Sequence, residues 1–180
     1  MPVKQDNKVV VSWALYDFAN SAFTTTIVTF VYAAFFAEAM MENNIVGTAW
    51  WGHAVTVSAL IVAFASPVLG ALADRGGYRK RFLLITSAVS IGATVMMFFP
   101  RPYAYLQEIG MKPEAMQALI WFVIANIGFE LGGVFYNAFL PDIAPSDRVG
   151  RISGFGWGLG YVGGLACLVL ALVTQAPAKS

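Results

Sequence analysis

Five apolar stretches, at about 13–39, 49–72, 82–99, 118–140 and 152–173, leave this chain few ways to fold. A helix needs about 20 mainly apolar residues to cross the hydrocarbon core of a bilayer, and each stretch is near or above that length. As helices of a soluble protein they would need a polar face toward water, and almost none of them has one. Pro100, Pro102, Pro113 and Pro141 fall between the stretches, where a residue without a backbone N–H costs least; only Pro67 lies inside one. Composition agrees: 12% of residues are charged and 58% hydrophobic, whereas a soluble domain carries about 25% charged residues. The chain is expected to be an all-α membrane protein with five transmembrane helices, forming a single transmembrane domain over residues 1–180.

The charges are sorted along the chain. Lys4 and Lys8 precede the first stretch, Arg75, Arg79, Lys80 and Arg81 lie between the second and third, and Arg148 and Arg151 lie between the fourth and fifth. The intervening connections hold Arg101 and Lys112, with Lys179 beyond the last stretch, while the first connection has Glu38 and Glu42 and no base. Bases resist translocation, so the N-terminus is expected in the cytoplasm and the C-terminus on the far side. With a net charge of +1, no basic face is left over for nucleic acid. The first stretch is too long for a signal-peptide core and lacks a small-residue cleavage site, so it is expected to be retained. Trp13, Tyr16, Trp50, Trp51, Tyr103, Tyr105 and Trp121 lie near stretch ends and read as interface anchors. The single cysteine, Cys167, lies in an apolar run, permits no disulfide within the chain and reads as packing.

Polar residues inside the stretches carry the functional signal. Glu130 sits near the middle of the fourth, where a charged side chain costs about 2.5 to 3.5 kcal/mol. Helical spacing places Asn126, Glu130, Gly133 and Asn137 on one face, expected to look toward a cavity or a partner helix. A substrate contact or proton carrier is favoured for Glu130 over a neutral acid that only bonds a neighbouring helix. Asp17, Asn20, Ser21, Thr24 and Thr25 form a second polar stripe in the first stretch. Asp17 lies about one turn from Trp13, so the interface and pathway readings are equally open for it. Thr86, Ser90 and Thr94 share a face, but hydroxyls can bond their own helix, and packing is the expectation. Gly156, Gly160 and Gly164 have the four-residue spacing of a close helix crossing. With Gly154, Gly158 and Gly163 beside them, they suggest a surface that slides or rocks against a partner.

Catalytic vocabulary is missing. No paired metal ligands and no phosphate-cradling loop occur, and Ser153 and the sole histidine, His53, are expected at the cytoplasmic and outer ends of their spans, on opposite sides of the membrane. No enzyme activity, cofactor or metal is expected.

The segment 70–81, Gly-Ala-Leu-Ala-Asp-Arg-Gly-Gly-Tyr-Arg-Lys-Arg, resembles the signature G-x-L-A-D-R-x-G-R-K between the second and third spans of the major facilitator superfamily. Gly70, Leu72, Ala73, Asp74, Arg75, Gly77, Arg79 and Lys80 match, and Tyr78 stands where the pattern has a base. The opening 12–23, the run Leu140-Pro141-Asp142-Ile143 and the glycine-rich fifth stretch look like the branch that contains fungal vacuolar amino-acid effluxers linked to autophagy and their bacterial relatives. The resemblance implies the incomplete N-terminal six-helix half of a major facilitator fold, with the sixth span and the C-terminal half absent.

It further implies a secondary active transporter that moves a small organic solute, with amino acids suggested by the branch, by alternating access. Its partners would be that solute, a coupling proton or other ion, the lipid bilayer and the missing half. Gly70, Asp74, Arg75, Gly77, Arg79 and Lys80 would form a gating loop that latches against the opposite half. Asp74 would be stabilised by a helix N-terminus or by an arginine across that interface, and Gly70 and Gly77 would permit close approach. Asp17, Asn20, Asn126, Glu130 and Asn137 would line the substrate or proton pathway. The membrane would be the cell (inner) membrane, or the vacuolar membrane in a eukaryote. Two departures stand out: no arginine occurs between Ala115 and Leu140, and Tyr161 replaces the proline of the drug/proton antiporter pattern. An alternative reading is a non-transporting membrane scaffold or assembly partner that uses the glycine face of the fifth span.

Overall fold

A computed structural model describes residues 7–99, 111 and 113–175. The bases Lys4, Arg101, Lys112 and Lys179, the anchors Tyr103 and Tyr105, and Pro100 and Pro102 lie outside the described residues. Among the described residues all regular structure is helical, apart from one isolated antiparallel bridge between Met41 and Met111. The expected all-α membrane class holds.

The first helical stretch runs through α1 (Asn7–Ala22), a π-helical segment π1 (Phe23–Phe30), α2 (Val31–Phe35) and a second π-helical segment π2 (Phe36–Met40). Within π1 the Thr29 hydroxyl donates to the Thr24 carbonyl, five residues back, in step with the wider π register. Thr25 and Thr26 donate to the carbonyls of Ser21 and Ala22. The long α3 (Asn44–Gly76) starts where the Asn43 side chain accepts hydrogen bonds from the N–H groups of Ile45 and Val46. It contains Pro67 and places exposed His53 edgewise to Trp50, with ring centroids 6.1 Å apart. Then come α4 (Arg79–Met96), α5 (Pro113–Asn137), the short α6 (Leu140–Ile143) and α7 (Val149–Gln175).

Among the described residues four helical stretches are long and apolar enough to cross a membrane: Asn7–Met40, Asn44–Gly76, Glu114–Ile143 and Val149–Thr174. The third predicted span falls on α4, which has 18 residues. Its first three are Arg79, Lys80 and Arg81, so its apolar part is shorter than the roughly 20 residues of a full crossing. Hydrogen-bonded turns carry the chain on to Phe99.

The chain divides into two compact units, one formed by Met1–Ala33 and Phe139–Ser180, the other by Ala34–Ala138. In the first, α7 packs along α1 and π1. In the second, α5 packs against both α3 and α4, which touch each other little, and π2 packs on α3. The core of the second unit is aromatic and aliphatic. Trp51 lies 3.9 Å from Phe122 and 5.4 Å from Phe36 between ring centroids, and Phe82 lies 5.1 Å from Phe135. Ala73, Leu131 and Phe135 form a second cluster with Leu69, Phe82 and Ile127 around them. Outward faces are also apolar, with Phe64 79% exposed and Leu60, Leu84, Ile91, Trp157 and Leu165 exposed as well, as befits helices solvated by lipid.

Candidate functional site

The turn between α3 and α4 is held from within. Gly77, at φ 64°, adopts the left-handed conformation that ends α3, and its N–H bonds the Ala73 carbonyl. The Tyr78 N–H bonds the same carbonyl at 3.0 Å, closing the helix end in a Schellman-type cap. The turn brings Arg79 back over Asp74: Arg79 Nε donates to Asp74 Oδ1 at 2.6 Å, and another guanidinium nitrogen donates to the Ala138 carbonyl just beyond α5, at 3.2 Å. One arginine thus ties together the C-terminal end of α3, the N-terminal end of α4 and the C-terminal end of α5. The partner of Asp74 is therefore an arginine five residues on in the same turn, where the resemblance implied a helix N-terminus or an arginine across an interface.

The other residues of the turn are arranged differently. Arg75 and Lys80 are exposed. Tyr78, where the signature has a base, lays its ring over Gly76 and under Arg81, whose guanidinium carbon is 5.3 Å from the ring centroid. Around Gly70 and Gly77 nothing described lies within 4 Å of where a Cβ would be. At Gly77 the requirement is the backbone angle; the close approach in this turn is at Gly76.

The polar face predicted on α5 is divided by its surroundings. Asn126 is buried and donates through Nδ2 to Ser58 Oγ on α3 at 2.7 Å. Ser58 is fully buried and donates in turn to the Val55 carbonyl. Glu130 and Asn137 are exposed, and Gly133 has open space beside it. Gly128 faces α4, where a Cβ would come within 2.9 Å of backbone atoms of both Thr86 and Ser90. Thr86 and Ser90 are buried there, while the Thr86 and Thr94 hydroxyls donate to carbonyls of their own helix.

In the first unit the polar stripe of α1 lies against the glycine stripe of α7. A Cβ on Gly156 would strike the Trp13 ring, one on Gly160 the Asp17 carboxylate, and one on Gly164 the Thr25 hydroxyl. Gly163 is tighter still, because the Phe18 carbonyl occupies the place of its missing Cβ. Ser21 Oγ stands 2.8 Å from the Cβ position of Gly160. Asp17 and Asn20 are half-buried. Gly154 and Gly158 point into open space.

Ser58 and Gly76 carry no repeat or motif that would single them out. Gly163 and Gly128 do have a sequence signal: one lies on a helix dense in glycine, and the other stands four residues before Gly132. Among the described residues no group of His, Cys, Asp and Glu could hold a metal ion.

These features define a multi-pass helical membrane protein with a clamped turn and a glycine-packed helix pair. The chain belongs to the family described as "Vacuole effluxer Atg22 like", which matches residues 48–179. It is 32% identical over 173 residues to the uncharacterized MFS-type transporter YxiO of Bacillus subtilis, covering 94% of this chain and 37% of that protein. It is 30% identical over 95 residues to autophagy-related protein 22 of Coccidioides immitis, covering 53% of this chain and 14% of that protein. The chain therefore spans well under half the length of these relatives. No solved structure matches. The resemblance to the major facilitator superfamily, and to the branch with the fungal vacuolar effluxers and their bacterial relatives, is thereby borne out.

Proposed function

We propose that the chain is part of a secondary active transporter that moves a small organic solute across a membrane by alternating access, with amino acids the favoured class. The observation that carries this reading is the Asp74–Arg79–Ala138 linkage, joined to the family membership. It makes the turn at 70–81 a rigid edge shared by three helices, suited to pressing against and releasing an opposing surface. In this reading Gly70, Asp74, Arg75, Gly77, Arg79 and Lys80 form the gating edge, on the cytoplasmic side, with the N-terminus in the cytoplasm.

Asp17, Asn20, Asn126, Glu130 and Asn137 contribute to the substrate or proton pathway. Their roles differ: Asn126, already bonded to Ser58, shapes the wall, whereas exposed Glu130 is available to solute or proton. An exposed carboxylate at this depth is costly in lipid, so the face around it is covered by the remainder of the longer protein or by a water-filled cavity. The helix pair α1 and α7 supplies a smooth crossing for the movement.

The test is transport by the full-length parent protein in proteoliposomes. Asp74→Asn and Glu130→Gln should each lower the rate at least about tenfold, the loss expected when a contact of about 1.4 kcal/mol made in the working cycle is removed. If both variants transport normally at every pH examined, the assigned roles fail. A parent that moves no solute, while this chain holds a stable, specific complex with an unrelated protein, would establish the scaffold reading instead.

A further inference from the structure

Where the first turns of α1 and α7 meet, the first unit contains a cavity of about 320 Å³ lined by Val10, Arg148, Arg151, Ile152 and Phe155. We propose that it holds the phosphate group of an anionic phospholipid. The lining has two parts. Val10 and Ile152 are buried, at 7% and 6% exposure, and make an apolar floor beside exposed Phe155. Arg148 and Arg151 supply the cationic rim, three residues apart at the start of α7, and Ile152 and Phe155 continue the same helical face.

Guanidinium groups match phosphate oxygens in a bidentate, charge-assisted geometry. The rim also stands at the N-terminal end of a 27-residue helix, where the helix dipole adds to the attraction for an anion. Asp147 lies at the same edge, with its carboxylate 3.6 Å from Arg148 Nε, but that pair is 58% and 73% exposed and correspondingly weak.

The apolar part decides the source of the phosphate. Free phosphate would use the arginines and gain nothing from Val10, Ile152 and Phe155. A phospholipid would use both, placing its glycerol and first methylenes on the apolar side chains. Depth agrees, because the apolar run of α7 begins directly beyond Arg148 and Arg151, and the phosphate layer of a bilayer borders such a run. The site is separate from the turn at 70–81, and the proposal does not rest on the transport reading.

The full 180-residue chain would be placed in nanodiscs of phosphatidylcholine containing phosphatidylglycerol, then released into detergent. Lipid retained on the protein would be measured by native mass spectrometry, with inorganic phosphate binding measured as a separate arm. The wild-type chain should retain phosphatidylglycerol in preference to phosphatidylcholine. Arg151→Gln should lower that preference about fivefold and Arg148→Gln with Arg151→Gln about thirtyfold, from the roughly fivefold contribution of each base near an anionic surface. Phe155→Ser should lower lipid retention and leave inorganic phosphate binding unchanged. Circular dichroism would check helicity; Arg151 is exposed, so its single variant carries the test if the double variant does not fold. Equal retention of the two lipids by the wild type, or undiminished preference in Arg151→Gln, overturns the proposal. So does millimolar phosphate displacing the lipid while Phe155→Ser has no effect, which would assign the site to free phosphate.

Discussion

The two units hold their helices together in opposite ways. Along α1 and α7 the crossing is made of glycine against side chain and backbone, with the Phe18 carbonyl lying directly on Gly163. Between α3, α4 and α5 it is made mainly of rings, with Phe122 and Phe135 almost fully buried and Trp51 stacked on Phe122. Lipid tails are as apolar as leucine, so neither interface gains much from removing apolar surface from its surroundings; contact itself must hold the helices. The first unit obtains contact by bringing backbones close; the second does so at Gly128, where α5 meets α4, but relies mainly on interdigitating large side chains. The backbone solution leaves no room for an added atom, whereas the ring solution is sensitive to atoms removed. The glycine crossing also leaves the α1 hydroxyls and Asp17 at a smooth boundary, while the ring crossing buries the Asn126–Ser58 pair.

That contrast can be broken most forcefully at Phe122. Phe122→Ala should lower the stability of the purified chain by about 3 to 5 kcal/mol, read from thermal unfolding in detergent, because a fully buried ring leaves a cavity. A loss under about 1 kcal/mol would show that α5 is not held by its rings. The glycine side predicts the reverse sensitivity. Gly163→Ala should cost about 1 to 3 kcal/mol through overpacking, while Gly158→Ala, facing open space, should be neutral or slightly stabilising through its better helix propensity. Equal effects of the two would remove the distinction between the interfaces.

A double-mutant cycle of Ser58→Ala and Asn126→Ala should give a coupling of about 0.6 kcal/mol, and not above about 1.7, the range found for hydrogen bonds between membrane helices. Zero coupling would mean that the two side chains act independently. The smallest stability effect belongs to the turn. Its ion pair is partly exposed, 29% for Arg79 and 56% for Asp74, so Asp74→Asn should cost less than about 1 kcal/mol in unfolding. A large loss of transport in the full-length parent with so small a loss of stability would separate a gating role from a structural one.

Much of the helical layout is legible in the sequence because lipid imposes one rule, an uninterrupted apolar run, that composition along the chain reports directly. The family is legible for a similar reason: the turn at 70–81 needs particular residues in order. What resists reading is whatever depends on a neighbour from elsewhere in the chain. Asn126 and Glu130 are one helical turn apart and look equivalent by spacing, yet Ser58 reaches one and leaves the other exposed. The partner of Asp74 depends on the left-handed angle at Gly77, which folds Arg79 back over it. Gly128 stands four residues before Gly132, the spacing of a close helix crossing, but that α4 is the helix it meets depends on packing from elsewhere in the chain. The shortness of α4 was visible only in part, since 82–99 reads as apolar while its helix starts in the bases at 79–81.

The hydrogen bond between Asn126 and Ser58 has a mechanical consequence. It is a buried polar contact that joins α3 and α5 within a largely ring-packed interface. Sliding α5 by a single turn, about 5.4 Å, would break this bond and bring Phe122 or Glu130 toward Ser58 in its place, depending on direction. The pair therefore works as a detent: a displacement must first lift out of this seat before rings can find new neighbours. Motion of this unit is then expected to be that of a solid body, with α3 and α5 travelling together.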